Sequence, residues 1–485
     1  MRPTASRRCA TPAQPSHQPQ FESDPAQTHV PAHRWRGMRT LLIGALATCA
    51  LAGPAASAQA QLFEPPGTTP EHPYDPQVEY SVTTTGDAAD AAIGDGVCRT
   101  ASGTCSLRAA LQEAAVDRAT SKIGFDFDAK LPTIAPRSAL PAISDLAGPT
   151  IIDASAPPEV PASAWDTRIQ LRGPGPSAGF SGLTITSPGN TVRGLAIFNF
   201  RHQIRVTGWN NRIEQNYLGT GWEATFAAPA ADPTQDTGGV LLEGDAATNT
   251  IARNLIAGNA DIGVLVRGTA SANTITENDI GALPDRHRAD CPYPPDKECP
   301  APGTTLANRS HGVVLTRMTR FNVIAGNLIG GNGGVGVRLA GTLNRVSHNA
   351  IGARGLPRFG EDEYRSLPNA SGNLAVVGTS TEARVTENFM AGSPTSVQIG
   401  EDGGDTTTSA ITGTRVADNT IGHPELIDPL PQVGIAVWQG SRVEIAQNKI
   451  QYHHVGLRIH RLYRIALLQI RNVFEGNGTN IQNAP

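Results

Sequence analysis

Ile251-Ala252-Arg253-Asn254-Leu255-Ile256 returns as Ile275-Thr276-Glu277-Asn278-Asp279-Ile280 and again as Ile324-Ala325-Gly326-Asn327-Leu328-Ile329. The same phrase, with Asn at its fourth place, runs through Ile213 to Leu218, Val346 to Ile351, Val385 to Met390, Val416 to Ile421 and Ile445 to Ile450. Leu195 and Asn472 mark imperfect first and last copies. A second phrase falls between them: Gly239-Val240, Gly263-Val264, Gly312-Val313, Gly336-Val337, Gly434-Ile435 and Gly456-Leu457. The shortest Asn-to-Asn intervals are 22 residues (327 to 349) and 24 residues (254 to 278), the length of one turn of a parallel β-helix. Each phrase is too short for a helix and rich in Val and Ile, so it reads as a strand. Asn tolerates a left-handed turn and bonds its own neighbours, and stacked Asn side chains bond rung to rung. The Asn column is therefore read as scaffold. The fold predicted is an all-β solenoid, a right-handed single-stranded parallel β-helix.

Working outward, composition agrees. The 485 residues include 51 Gly and 37 Pro, with only 5% aromatic and 17% charged residues, which suits small units joined by frequent turns. The formal net charge of −4 provides no global basic field, so nucleic acid and anionic membrane are not expected partners. Residues 1–37 lack apolar periodicity and read as a non-structural or mis-assigned extension. The basic start at Met38-Arg39, the apolar run Leu41 to Gly53 and the Ala-x-Ala ending near Ala60 form a signal-peptide pattern over 38–60. A linker over 61–77 follows. The apolar run is too short to span a bilayer, so the expectation is a secreted protein, extracellular or periplasmic, without stable membrane insertion. The C-terminal Asn477-Gly478-Thr479-Asn480-Ile481 carries no hydrophobic tail, which argues against an autotransporter.

With Cys9 and Cys49 upstream of the cleavage site, four cysteines remain. Their even count in an exported chain favours disulfides Cys98–Cys105 and Cys291–Cys299 over a zinc site, since neither spacing is a C-x2-C knuckle. Ser106 to Ala119 places Leu107, Ala110, Leu111, Ala114 and Ala115 on one face, a short helix capped by Ser106 or Thr104 that covers the first rung. Thr150-Ile151-Ile152-Asp153 and Ile169-Gln170-Leu171 read as early strands.

Gly94-Asp95-Gly96-Val97-Cys98 followed by Cys105-Ser106-Leu107-Arg108-Ala109-Ala110 resembles the CSLREA-type module that precedes bacterial secreted or surface β-helices, with Ala109 replacing the motif's Glu. Residues 190–480 are similar to the broad class of right-handed β-helix repeat proteins. These resemblances imply export and a solenoid, with a module over 78–120 ahead of a β-helix over 121–485. They do not imply a reaction.

Function is sought where the repeat is interrupted. From the end of each Asn strand to the next Gly-Val the connections alternate: long from Gly219 to Gly239, short to Gly263, long from Gly281 to Gly312, short to Gly336, long after Gly352, short after Ala391. The insertions therefore all emerge at one corner, on every second rung. Rungs about 4.8 Å apart leave too little room for a bulky loop on each. These connections carry Trp222, Glu223, Asp232, Asp236, Asp285, His287, Tyr293, Arg358, Tyr364, His423 and Asp428. Loops on a rigid scaffold are common seats of binding, and aromatics beside carboxylates and Arg suit an extended sugar polymer. Residues three after each inward Val are expected to face outward: Glu243, Arg267, Thr316, Trp438 and His460. Asp236, Asp261, Arg309 and His311 are expected on neighbouring rungs beside the two largest connections.

Two carboxylates there suit the acid and base of glycoside hydrolysis, and a His or Arg beside a carboxylate suits a lyase. The plainer reading is that solvated loops are charged. Asp236, Asp261, Arg309 and His311 are the candidate catalytic residues, and Trp222, Glu243, Arg267, Tyr364 and Trp438 the candidate substrate contacts. No Asp-Pro-His-Asp run, Ca2+ repeat or phosphate loop is present, so no cofactor and no metal site is expected. The sequence thus points to an exported β-helix that binds or cuts a polysaccharide or cell-surface glycan, glycosidase- or lyase-like. The alternative is a non-enzymatic surface, adhesion or structural β-helix. Its oligomeric state is not indicated.

Overall fold

The computed structural model describes residues 76–128, 131–146, 148–155, 169–221, 224, 227–229, 236–282, 306–354, 364–400, 411–426, 431–460 and 467–484. The expected 38–60 leader, the 61–75 part of the expected linker, Trp222 and the expected Cys291–Cys299 disulfide lie outside these residues.

Three all-parallel sheets of 13, 12 and 11 strands run the length of the compact unit that begins at Pro70. Each turn of chain visits them in the same order. Thr250–Ala252 lies in the 13-stranded sheet, Leu255–Ile256 in the 12-stranded sheet and Ile262–Val266 in the 11-stranded sheet. Each strand then pairs with its counterpart one turn later: Ile251 with Ile275, Ile256 with Ile280, Val264 with Val313. The chain is a right-handed parallel β-helix. Its core is a stack of like on like. Ile213, Ile251, Ile275, Ile324, Val346, Val385, Val416 and Ile445 are all fully buried in one column.

The repeated phrase is two strands rather than one. It bends at its third residue, and that residue, not the Asn, takes the left-handed backbone: Arg253, Glu277, His348 and Glu387 have φ of 55° to 58°. L-residues avoid this region, and the Asn that follows stabilises it. Asn278 Oδ1 accepts both the backbone N–H and the Nδ2 of Asn254, at 2.9 and 3.0 Å. Its own Nδ2 donates to Ile251 O, Thr276 O and Asn327 Oδ1. This ladder runs from Asn216 to Asn472 with every rung-to-rung bond between 2.9 and 3.1 Å, and Leu195 N–H starts it.

Two further ladders hold the other corners. Asn190, Asn211, Asn249, Asn273, Asn322 and Asn344 form one. Asn259, Asn308, Asn332 and Asn369 form the other, which passes to Ser393. The third ladder explains the Gly-Val phrase. A Cβ on Gly263 would lie 2.6 Å from Gly312 O and 2.9 Å from Asn308 Nδ2, so the residue facing this Asn column has no room for a side chain.

At the N-terminal end, Val78–Val82 is itself the first strand of the 13-stranded sheet. The helix over it spans Leu107–Ala114 and is capped by Ser106 Oγ, which accepts Ala109 N–H at 3.0 Å. It is shorter than the stretch to Ala119 expected from spacing. Asp117 ends it by accepting Ala119 N–H and the Tyr80 hydroxyl. Glu113, buried on the helix, accepts Gly94 and Gly96 N–H, and the Cys98–Cys105 disulfide closes the same loop.

The alternating long connections leave the corner between the 12- and 11-stranded sheets, at 219–237, 281–312, 352–371 and 422–432. That corner is not the sole exit, as the sequence had suggested. Residues 400–414 and 461–466 join the 11-stranded sheet to the 13-stranded one. Both follow a strand of the 11-stranded sheet rather than an Asn-bearing strand.

Candidate functional site

The outer face of the 11-stranded sheet lies beside the corner that carries the long connections. His202, Gly238 and Ile262 align at its near edge on successive rungs. Leu241, Leu265 and Val314 form a buried apolar strip along its middle, with Ile262 packed against them. At the far edge Leu242 pairs with Val266, which sets Glu243 and Arg267 side by side.

These residues form one ionic chain. Glu243 accepts Arg205 Nε at 2.5 Å on one side and Arg267 Nε at 2.8 Å on the other. Arg267 Nη2 lies 2.7 Å from Glu243 and Nη1 bonds Asp236. Asp236 ends the 219–237 connection, and its backbone carbonyl accepts Arg201 Nε at 3.1 Å. Burial pushes the Glu243 carboxyl up, but the bonds from Arg267 and Arg205 outweigh it and hold the group below the usual carboxylate range.

Two groups beside the chain are perturbed differently. His202 is 3% exposed, and its Nε2 is buried with no hydrogen-bond partner. Burial, then the charges of Arg201 and Arg267, push its pKa down to about 4 against the opposing pull of Asp236 and Glu243. Asp261, on the next rung, is pushed up by burial and further by the Asp236 charge, while a bond from Ser310 opposes the rise.

Asp236, Glu243 and Arg267 are thus joined directly, and Asp261 lies within electrostatic reach of Asp236. Ser310 N–H donates to Asp261 O at 3.0 Å, which puts Arg309 and His311 on the adjoining rung. Arg309 Nε donates to Ala228 O at 3.1 Å, and His311 Nδ1 accepts Val335 N–H at 2.9 Å. Burial and the Arg338 charge lower the His311 pKa.

The aromatic candidates stand elsewhere on the solenoid. Tyr364 stacks on His423 with ring centroids 3.7 Å apart, beside Phe389, at the loop-bearing corner. Trp438 stacks on His460 at 3.2 Å. It shares the Glu243 and Arg267 column but is five rungs from Arg267, about 24 Å at the usual strand spacing.

His202, Arg205 and Arg201 were missed from the sequence. His202-Gln203-Ile204-Arg205-Val206 is a strand of the same column, but Gln203 stands where the next four rungs have Gly. Gln203 replaces the glycine by reaching the Asn ladder itself, with Nε2 to Asn259 Oδ1 at 3.0 Å. This rung therefore lacks the Gly-Val landmark. The available signal was the hydrophobic alternation at 204 and 206.

Fold and repeat define a parallel β-helix repeat protein. Residues 181–402 match the family model described as periplasmic copper-binding protein (NosD). No curated protein sequence matches the chain significantly. Among solved structures, the Dettilon tailspike protein is similar at 12% identity, covering 81% of this chain and 68% of that one, with a TM-score of 0.46. The catalytic unit of a GH87 α-1,3-glucanase from Streptomyces thermodiastaticus is similar at 12% identity, covering 82% and 68%, with a TM-score of 0.46. The Streptococcus pneumoniae surface protein and adhesin PfbA is similar at 10% identity, covering 84% and 100%, with a TM-score of 0.38.

The copper in the family's description finds no matching donor set among the described residues. Among the described residues the single group of three or more His, Cys, Asp or Glu that approach one another is Asp90, Asp95 and Glu113, outside 181–402. Within that range His311 Nδ1 is engaged by Val335, and His348 pairs with Glu387 at 2.6 Å.

Proposed function

We propose that this protein is exported and binds or acts on an extracellular polysaccharide along the outer face of the 11-stranded sheet. The observation that carries the reading is the pair Asp236 and Asp261 on adjacent rungs in unlike settings. Asp236 is ion-paired with Arg267, and Asp261 is pushed up by burial and by Asp236 itself. A carboxyl raised in this way beside an ion-paired carboxylate suits the acid and base roles in cleaving a glycosidic bond. His311 and Arg309 on the next rung suit the lyase variant of the same reading. The outward Glu243 and Arg267, with Tyr364 and Trp438 further along the solenoid, are the proposed sugar contacts.

Export is supported by the periplasmic description of the matched family and by the Cys98–Cys105 disulfide, which belongs to an oxidising compartment. No helix among the described residues is long and apolar enough to cross a membrane. The test is binding and cleavage of a panel of acidic and neutral polysaccharides by the purified protein and by Asp261→Ala and His311→Ala. Loss of binding or turnover in the variants supports the reading. Glycan binding without turnover, indifferent to both changes, favours a non-catalytic surface role.

A further inference from the structure

The polysaccharide reading leaves the class of sugar open, and the ionic chain on the sheet face narrows it. Arg205 and Arg267 bond the carboxylates of Glu243 and Asp236, Arg201 bonds the Asp236 backbone carbonyl, and Asp261 lies within electrostatic reach, so the patch is a cluster of three guanidiniums and three carboxyls in which each anion is held differently. The two ion-paired carboxylates are held unequally. Glu243 follows directly on a strand, its side chain is 16% exposed, and it is clasped by two arginines. Asp236 ends a long connection, its side chain is 48% exposed, and it touches Arg267 through one nitrogen. Glu243 therefore fixes Arg267, and Asp236 is the anion that can leave.

His202 supplies the second observation. Its Nε2 is enclosed with no partner, within the field of Asp236, Glu243, Arg201 and Arg267. An unsatisfied buried polar atom is costly. A ligand that brings both an anionic group and a hydroxyl answers both features at once. A glycan of uronic acid units carries these side by side on each sugar.

We propose that this face takes an acidic, carboxylate-bearing glycan, with a sugar carboxylate displacing Asp236 from Arg267, a movement that also opens His202 Nε2 to a sugar hydroxyl. The proposal rests on the polysaccharide reading and adds the charge of the sugar. In this arrangement Asp236 is an internal stand-in for the ligand, so removing its charge leaves Arg267 open and strengthens binding.

The test measures binding of the full chain to polygalacturonate and alginate, to their neutral methyl esters, and to a neutral β-glucan at low salt. The wild type should bind one of the acidic polymers at least about tenfold tighter than its ester. Asp236→Asn should tighten that binding about two- to fivefold. Arg267→Gln should weaken it about tenfold or more and erase the preference over the ester. His202→Gln should weaken binding of the acidic polymer. Each variant's unfolding transition is compared with the wild type. Should Arg267→Gln fail to fold, the sign of the Asp236→Asn effect decides alone.

An ester bound as tightly as its acid, or weaker binding by Asp236→Asn, overturns the proposal. Binding only to the neutral glucan also overturns it while leaving the polysaccharide reading intact. Binding to none of the polymers removes both.

Discussion

The inner corners and the outer face of the 11-stranded sheet both gather polar groups, but they treat them in opposite ways. Inside, each Asn repeats its neighbour's solution. Asn254, Asn278 and Asn327 are fully buried or nearly so, and each has its amide and carbonyl satisfied by the rungs around it. Outside, across the rungs of His202, Gly238 and Ile262, no two rungs are alike. One carries His and Arg, the next Asp and Glu, the third Asp and Arg, and one imidazole nitrogen is left without a partner. Repetition closes hydrogen-bond networks and stabilises a scaffold. Irregularity on a rigid scaffold is where recognition is built.

The largest expected effect lies inside. Asn278→Ala removes the oxygen that accepts two donors of Asn254, leaving buried groups unsatisfied. Chemical denaturation should show a loss of about 3–5 kcal/mol. The same change at Asn472, which is half-buried and ends the ladder, should cost about 1 kcal/mol. Equal losses at the two positions would remove the claim that the ladder acts through burial.

Taken one histidine at a time, acid comes next, and it acts on both regions. His202 on the face and His453 inside are buried, with folded-state pKa values pushed down to about 4 from 6.5. Between these values the unfolded chain binds protons that the folded chain refuses, so stability falls as pH drops from about 6.5 to about 4. Each histidine contributes about 3 kcal/mol to that fall. Urea melts at pH 7 and pH 4.5 measure it. His453→Gln should flatten the dependence, and an unchanged slope would show that His453 does not carry it.

Gly263→Ala should destabilise by about 1–3 kcal/mol, since its Cβ would meet Gly312 O at 2.6 Å. The exposed Gly244, where a Cβ meets nothing within 4 Å, provides a contrast. Its φ of 61° makes alanine there cost backbone strain alone, about 1 kcal/mol. The smallest effect is expected at the outer corner pair Arg253 and Glu277, 3.8 Å apart and part-exposed. Removing the Glu277 charge should shift stability by less than about 0.5 kcal/mol.

The sequence made the scaffold legible because a β-helix writes its period directly: Ile251, Ile275 and Ile324 stack in space as they recur in the chain. It misled on where the phrase bends. The left-handed residue is Arg253 or Glu277, and nothing in either residue type announces that conformation. The second ladder was present in the text, since Asn249, Asn273 and Asn322 each stand five residues before a counted Asn. Seeing it required knowing that the short phrase spans two sheets.

The site was only partly legible. Glu243 and Arg267 follow from counting outward from an inward Val, but their union through Arg205 depends on a rung without the Gly-Val landmark. The displacement of Trp438 from Arg267 by five rungs was countable from the repeat. The isolation of His202 Nε2 was not, because it arises from packing around one atom.

The outer sheet face is the proposed binding surface, and the Asn ladders are scaffold. The most direct test is a paired affinity measurement on a polysaccharide that the protein binds, comparing Arg267→Gln with Asn472→Ala. Arg267→Gln should lose about tenfold or more in affinity, and Asn472→Ala should keep its affinity. Full affinity in Arg267→Gln, or a loss confined to Asn472→Ala, would contradict this division.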